Sequence, residues 1–314
     1  MTSTGPEPAP TTALAEPPKY PRRIAYLGTP EMAVAPLRAL VEGGYEVVVV
    51  ITGEDKRRGR RGAATPTPVK AAALELGLNV SHDPADALTS GADLGVVVAC
   101  GQILRRPMLE AMPMVNLHCA LLPRWRGAAP VERAILAGDE VTGVCVMAVE
   151  EGLDTGGVYA RTEVRIDPQS TAAELRSALT DVGARLLVDT LQRGLDAPEP
   201  QVGSVTYASK INTDDLHLDW NRAAVDLLRL VRIGGAWTTR TGSRLKVHRA
   251  VAHPERTGQG QVGELHGTEV TTGAGTLELA EVQPEGKGPM AAKAWLNGIR
   301  PVPGERLGTQ MVDR

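Results

Sequence analysis

The sequence lacks three features that would each indicate a particular class of protein. No window approaches the roughly 18 continuous apolar residues of a membrane helix, so no membrane partner is expected. Cys100, Cys119 and Cys145 lie singly in apolar runs without CxxC spacing. That pattern gives no sign of a metal or redox site and is typical of buried thiols in a reducing, cytoplasmic compartment. The first strand-like run ends in LGTPEMA instead of GxGxxG, so a dinucleotide cofactor is not expected.

The remaining composition is that of a soluble globular protein. The chain has 314 residues, 42% of them apolar and 23% charged, which suffices for two domains and a sizeable core. Residues 1–21 are rich in proline, threonine and alanine, and we expect a disordered tail there instead of a signal peptide. The net charge of −3 argues mildly against a nucleic-acid partner.

From residue 22 on, short apolar runs alternate with helix-like segments. Strands are predicted at 23–28, 46–52, 93–100, 114–119, 142–149 and 158–166, and helices at 31–43, 66–77, 128–138 and 171–195. The runs are continuously apolar, which is typical of strands covered by helices on both faces. The alternation therefore predicts an α/β domain with an open, mostly parallel sheet.

The last third of the chain has a different pattern. Residues 196–215 are interpreted as a linker, followed by a short helix at 222–233. Short β-like pieces separated by glycines then follow at 244–251, 260–265, 268–272 and 276–283. This spacing predicts a small barrel or sandwich, with the OB-fold as the leading candidate. We therefore expect a tail (1–21), a catalytic domain (22–195), a linker (196–215) and a C-terminal domain (216–314).

Two polar side chains interrupt the strand-like run MVNLHC at residues 114–119. Residues two apart in a strand point to the same side, so Asn116 and His118 face one space at the edge where open α/β sheets bind ligands. Both can donate hydrogen bonds to an oxyanion developing on a carbonyl group. Bonds to neighbouring backbone are the ordinary alternative, which the spacing alone favours. Cys119 points to the opposite face, so a Cys–His nucleophile is not expected.

Polar residues downstream of this strand could complete a site for acyl transfer. Asp154 lies among glycines in EEGLDTGG, and its carboxylate could orient His118 or accept a proton from an attacking amine. A hairpin turn is the ordinary alternative for Asp154. Arg124 and Arg126 flank Trp125, and this group could bind an anion or form a solvated loop.

A dense basic run occupies EDKRRGRR, residues 54–61. A solvated loop is its ordinary interpretation, and contact with a phosphate backbone is the more specific one.

Several of these stretches together resemble the formyltransferases that use 10-formyltetrahydrofolate, most closely the members that act on methionyl-tRNA. NLHCALLPRWRGAAP, AGDEVTGV and GLDTGGVY carry the resemblance, which extends from about residue 22 to 308. It implies a Rossmann-like catalytic domain joined to an OB-like β-barrel domain. It also implies formyl transfer from 10-formyltetrahydrofolate, without a metal, to the amino group of methionyl-initiator-tRNA.

The resemblance also implies roles for individual residues. Asn116, His118 and Asp154 occupy the catalytic positions. The folate would contact the stretch that follows His118, consisting of Ala120, Leu121, Leu122 and Pro123. The acceptor arm of the tRNA would contact the basic run, through Lys56, Arg57, Arg58, Arg60 and Arg61.

Some positions depart from the family pattern, and two other functions stay open. Cys119 and Ala120 stand where a Gly-Ser pair is usual, and Cys100 and Gln102 replace a tyrosine and an apolar residue. GGAWT at 234–238 replaces Asn-Pro-Trp-Pro. The alternatives are an N-formyltransferase acting on an amino sugar nucleotide and a catalytically silent tRNA-binding homologue. A monomer is expected.

Overall fold

The computed structural model describes residues 13–57, 64–102 and 104–308. The chain divides into two compact units, and each combines separate stretches of sequence. The first unit contains the chain up to Arg126 together with Gly143–Val164 and Arg176–Tyr207; the second contains Gly127–Thr142, Arg165–Leu175 and the chain from Ala208 on. The domain limits expected at residues 195 and 216 stay a prediction. Within the described parts of the chain, every helix is too short or too polar to span a bilayer.

The described secondary structure is mixed throughout the chain. The strands are β1 Arg23–Gly28, β2 Glu46–Ile51, β3 Lys56–Arg57, β4 Ala64–Thr65, β5 Val80–Ser81, β6 Leu94–Val98, β7 Met114–His118, β8 Arg126–Gly127, β9 Val141–Ala148, β10 Val158–Arg165, β11 Tyr207–Ala208, β12 Trp237–Arg240, β13 Ser243–His253, β14 Leu265–His266, β15 Glu269–Thr271, β16 Thr276–Pro284 and β17 Met290–Ala291. The helices are α1 Val34–Glu42, α2 Pro68–Glu75, α3 Asp86–Thr89, α4 Arg106–Ala111, α5 Pro130–Ala137, α6 Ala172–Arg193, α7 Ala224–Ile233 and α8 Ala292–Ile299, with 3-10 turns at Glu31–Ala33 and Asp214–Leu216.

A seven-stranded sheet forms the first unit, in the order β10-β9-β7-β6-β1-β2-β5. The neighbours from β7 through β6, β1 and β2 to β5 pair in parallel, and β9 runs antiparallel to β7. The sheet is therefore mostly parallel, as the apolar runs predicted. The chain leaves β1 on the side of β2 and returns to β6 on the other side. In such sheets, ligands bind in the crevice that this reversal opens at the carboxyl ends of the strands.

Local sequence signals account for the limits of helices α5 and α6. Pro130 occupies the first turn of α5, and Gly138 ends that helix with a left-handed φ of 76°. Two hydrogen bonds form a capping box at the start of α6. The Glu174 amide donates to Thr171 Oγ1 at 3.2 Å, and the Thr171 amide donates to Glu174 Oε2 at 2.7 Å.

The N-terminal segment differs in part from the expected disordered tail. Residues 1–12 lie outside the described residues, but residues 13–21 make specific contacts. Leu14 packs against an apolar cluster of the first unit, and the Ala15 amide donates to the Leu109 carbonyl at 3.0 Å. Lys19 forms a salt bridge with Asp196 at 2.7 Å. One apolar anchor and these bonds stabilise a stretch whose composition alone indicated disorder.

An antiparallel sheet forms the second unit, in the order β12-β13-β16-β15-β14, with β17 paired to β16. Its core contains Trp220, Leu227, Val247, Leu277 and Trp295. The antiparallel, OB-like character agrees with the prediction. The described pairings do not include one between β12 and β14 that would close a barrel. The predicted strand at 260–265 is shorter, since only Leu265 belongs to a strand, and helix α8 was not predicted.

Candidate active site

Asn116 and His118 lie at the carboxyl end of β7, two residues apart on the same strand. Asn116 lies opposite Met147 and His118 opposite Cys145 on the antiparallel strand β9. The His118 side chain is 7% exposed. Burial of a polar side chain requires hydrogen-bonding partners, and those of His118 come from two loops that are distant in sequence.

The first of these loops follows β9 and carries Asp154. Its Oδ2 lies 3.6 Å from His118 Nδ1, and its Oδ1 lies 3.5 Å from Asn116 Nδ2. Asp154 has a positive φ of 51°, which is unusual for a residue with a side chain. The structure thus brings together all three residues that the sequence predicted as catalytic, within a few ångströms of one carboxylate.

The glycines around Asp154 allow the loop to fold back closely on the strand. A Cβ atom on Gly156 would lie 2.0 Å from the carbonyl oxygen of Ala148, so only glycine fits there. The Ala148 amide also donates to the Gly157 carbonyl at 2.8 Å. The close approach is therefore part of what holds Asp154 beside His118.

The second loop carries Trp125. His118 Nε2 lies 2.9 Å from the Trp125 carbonyl oxygen, which can only accept, so Nε2 carries a proton in this contact. Trp125 also has a positive φ, 63°, and the Arg124 guanidinium lies 4.5 Å from its ring centroid. Both ring nitrogens of His118 thus face oxygen acceptors, one on a carboxylate and one on the backbone.

The stretch predicted to contact folate joins β7 to the Trp125 loop. Ala120, Leu122 and Pro123 are buried, and Leu121 is partly exposed. Leu122 packs in an apolar cluster with Cys145 and Met147 of β9 and with Val158 of β10. The side chain of Leu122 therefore belongs to the core, which leaves the backbone and the flanking residues as the parts available to a ligand.

Cys100 lies at the end of the neighbouring strand β6. Its carbonyl oxygen accepts a bond from Thr29 Oγ1 at 3.4 Å, so the chain ends of β1 and β6 are joined there. Burial raises the pKa of the Cys100 thiol, so it stays protonated and unreactive at neutral pH. Cys100 is therefore a structural residue at this edge.

The predicted tRNA-binding residues are only partly described. Lys56 and Arg57 form strand β3, which pairs with β4 as a short hairpin. Arg58, Arg60 and Arg61 lie outside the described residues. At the base of the hairpin, Asp55 is paired with Lys70 at 2.9 Å, and this pairing offsets one of the two acids of the basic run.

Metal-ligating atoms come together at one place in the described part of the second unit. His253, Glu269 and Glu278 have ligand atoms within 4.8 Å of one another. His253 Nε2 is bonded to Glu278 at 3.0 Å, and Glu269 is ion-paired with Arg256. These side chains are therefore already engaged with protein partners, and Arg256 places a positive charge where a metal would bind.

Sequence reasoning missed two residues that contact the site. Gln201 and Thr206 belong to a segment interpreted as a linker, yet Gln201 donates to the Asp154 carbonyl and Thr206 accepts from the Trp125 amide. The signal that could have identified Thr206 is the stretch VTYASKI, residues 205–211, which resembles a stretch of the formyltransferases. No periodicity marks such a segment, because its contacts are made by single residues with distant loops.

Comparisons with known proteins agree with this geometry. The profile of the Formyl transferase family matches residues 22–191, and that of the formyl transferase C-terminal domain matches residues 210–300. A methionyl-tRNA formyltransferase of Symbiobacterium thermophilum is 45% identical over 88% of this chain and 92% of its own. A methionyl-tRNA formyltransferase of Jannaschia sp. is 44% identical over 91% of this chain and 99% of its own.

One solved structure shows the same fold at low sequence identity. The N-formyltransferase from Helicobacter canadensis, in complex with folinic acid and dTDP-3-aminofucose, superposes with a TM-score of 0.63 and 16% identity. The match covers 82% of this chain and 99% of that one. By family profile and by sequence identity along most of its length, the chain belongs to the formyl transferase family.

Proposed function

We propose that this protein transfers the formyl group of 10-formyltetrahydrofolate to the free amino group of methionyl-initiator-tRNA. The observation that carries the proposal is the convergence of Asn116, His118 and Asp154 at the carboxyl end of β7. The identity of 45% to a methionyl-tRNA formyltransferase over most of the chain supports this acceptor. We place the reaction in the cytoplasm and assign it to a monomer.

The site fits direct attack by an amine, with no covalent enzyme intermediate. The folate supplies the formyl carbon, whose oxygen becomes negatively charged as the new bond to the amine forms. The Asn116 amide can donate directly to that oxygen. When both of its ring nitrogens are protonated, His118 adds a positive charge beside it and keeps its bond to the Trp125 carbonyl.

Asp154 has two tasks in this scheme. Its Oδ2 faces His118 Nδ1 and holds the ring in place, and its carboxylate can accept the proton that the attacking amine must lose. The bond from the formyl carbon to the folate nitrogen breaks, and that nitrogen takes up a proton as it leaves. One proton therefore passes from the amine to the leaving nitrogen, and Asp154 is the group that relays it.

We assign the folate to the stretch Ala120–Pro123 and the edge beside Cys100. This stretch begins two residues after His118, so a donor held there would present its formyl carbon to the three polar side chains. The buried thiol of Cys100 and the absence of a hydroxyl at Ala120 leave folate binding to apolar and backbone contacts at these two positions.

Substitution of the central residues tests the catalytic assignment. We expect Asp154→Ala and His118→Ala to lower kcat about 100-fold or more, since each removes charge or proton transfer from the reacting centre. Formylation of methionyl-initiator-tRNA with 10-formyltetrahydrofolate is the measurement, with an amino sugar nucleotide as a parallel acceptor. Near wild-type turnover in either variant would remove that residue from the mechanism. Formylation of the sugar alone would identify the other acceptor, and transfer to neither would leave a silent homologue.

We further assign the tRNA contact to Lys56, Arg57, Arg58, Arg60 and Arg61. Of these residues, Lys56 and Arg57 belong to strand β3, which pairs with β4.

Charge removal from the loop tests this contact. We expect Gln substitutions at Arg58, Arg60 and Arg61 to weaken tRNA binding and to reduce the slope of log K against log salt by roughly 2–3. Arg165→Gln with Arg185→Gln and Arg193→Gln, at three exposed positions, is the control matched in charge. Equal slopes for the loop variant and the wild type would remove the loop from the tRNA site.

A further inference from the structure

Gln201 lies in the segment Glu199–Thr206 and uses its entire side-chain amide at the candidate active site. Its Nε2 donates to the carbonyl oxygens of Asp154 and Gly156, each at 2.8 Å. Its Oε1 accepts from Arg126 Nε at 3.1 Å and Nη2 at 2.6 Å. Both N–H groups and both lone pairs of the amide are thus occupied.

The two carbonyls that Gln201 holds are on either side of Thr155, in the loop that positions the Asp154 carboxylate. Asp154 has the left-handed φ of 51°, a conformation that persists only when surrounding contacts determine it. The two hydrogen bonds from Gln201, one to the carbonyl on each side of Thr155, hold the turn in this conformation. Because the Asp154 carboxylate lies 3.6 Å from His118, a small rotation of the turn would change this distance directly.

The same segment holds the other partner of His118. The Trp125 amide donates to Thr206 Oγ1 at 2.9 Å, and the Arg126 amide donates to the Thr206 carbonyl at 2.9 Å. Trp125 is the second residue near the site with a left-handed φ, and its carbonyl oxygen is the acceptor of His118 Nε2. The acceptors of both ring nitrogens are therefore fixed by a single eight-residue segment.

The start of this segment is tied to the sheet. Glu199 and Val158, the first residue of β10, exchange two backbone hydrogen bonds of 2.8 and 2.9 Å. Pro198 is close to Gly157, where an added Cβ would lie 3.0 Å from the proline ring. The segment therefore has a rigid base from which Gln201 and Thr206 reach the two loops.

We propose that Gln201 and Thr206 are positioning residues for formyl transfer, acting through Asp154 and Trp125 on the orientation of His118. This inference rests on the proposed function of Asn116, His118 and Asp154. Neither residue touches the reacting atoms; each sets the geometry of a group that does. Removal of their contacts should therefore lower the rate of the chemical step while leaving substrate binding almost unchanged.

Gln201→Glu separates the two halves of the contact. The substituted side chain keeps its size and its acceptors for Arg126, but places an oxygen against the two carbonyls that need a donor. We expect kcat to fall roughly 10- to 100-fold, because a misplacement of about 1 Å costs about that much, while the KM of each substrate changes less than about threefold. Gln169→Glu is the matched control at an exposed position and should behave as wild type.

The hydroxyl of Thr206 provides an independent pair of variants. Thr206→Val removes the acceptor of the Trp125 amide and should lower kcat roughly tenfold, whereas Thr206→Ser retains the hydroxyl and should restore it. This pair also decides the question if Gln201→Glu does not fold. The inference is overturned if Gln201→Glu and Thr206→Val keep wild-type kcat, or if KM rises in proportion to any fall in kcat.

The controls distinguish this inference from the proposed function. If the wild-type protein transfers formyl groups to neither methionyl-initiator-tRNA nor an amino sugar nucleotide, the proposed function is wrong and the positioning role falls with it. If the wild-type protein is active and the Asp154→Ala variant is not, the proposed function stands. Unchanged kinetics in both segment variants would then refute the positioning role alone.

Discussion

Gly156 offers the sharpest structural test of the Asp154 loop, because its substitution by alanine has a calculable steric effect. An added Cβ would lie 2.0 Å from the Ala148 carbonyl oxygen and 2.8 Å from the Ala148 carbonyl carbon. Carbon and oxygen atoms in ordinary close contact are about 3.3 Å apart. To reach that contact distance, the backbones of Gly156 and Ala148 must move apart by roughly 1.3 Å. Ala148 is the last residue of a sheet strand, so the loop is the part that moves.

The consequence for activity follows from the distance to Asp154. A loop displaced by about 1 Å lengthens the 3.6 Å separation between Asp154 Oδ2 and His118 Nδ1 and stretches the bond from Gln201 to the Gly156 carbonyl. Misplacement of that size costs about 100-fold in rate. Overpacking of a buried site costs about 1–3 kcal/mol, which for a unit of this size lowers Tm by roughly 2–12 °C.

The assay is steady-state formyl transfer together with calorimetry of Gly156→Ala. Gly288→Ala is the matched control, since no atom lies within 4 Å of its added Cβ. Gly157→Ala gives an intermediate case, because its nearest contact would be 3.0 Å and a shift of a few tenths of an ångström relieves it. If Gly156→Ala retains kcat within twofold and Tm within about 1 °C of wild type, the close packing of this loop does not position Asp154.

Two further predictions concern the ionisable side chains Asp93 and Cys145. The backbone amides of Arg23 and Arg22 donate to Asp93 and hold the pKa of its carboxyl below the usual value. These bonds therefore stabilise the folded protein above the pKa that Asp93 has in the unfolded chain. The stabilisation is lost as the pH falls through the pKa of Asp93 in the folded protein. Asp93→Asn should lower the free energy of unfolding by roughly 1 kcal/mol at pH 7, and urea titrations should show that the difference disappears in acid; a constant difference would contradict the assignment. Burial raises the pKa of the Cys145 thiol. We therefore expect iodoacetamide at pH 8 to alkylate Cys145 about 100-fold more slowly in the folded than in the unfolded chain, as measured by peptide mass spectrometry. Equal rates would show that the thiol is accessible in the folded protein.

Much of the first unit could be predicted because its signals are local. The apolar runs at 23–28 and 114–119 became β1 and β7 within one residue, since period and burial are properties of short segments. The capping box of Thr171 and Glu174 is local in the same way, because it involves residues three apart. In the last third of the chain, 260–265 was predicted poorly, because short glycine-separated pieces carry little periodicity.

The sequence by itself determined that Asn116 and His118 share one face at the end of a strand, because the alternation of side chains along a strand does not depend on what surrounds it. Only the tertiary structure decided that Asp154 faces both of them, since Asp154 lies 36 positions after His118 in the chain. The same holds for the segment with Gln201, whose contacts to two loops have no local pattern. Period and propensity act over one element, whereas a site is assembled by packing between elements, and so its completion was settled by the fold.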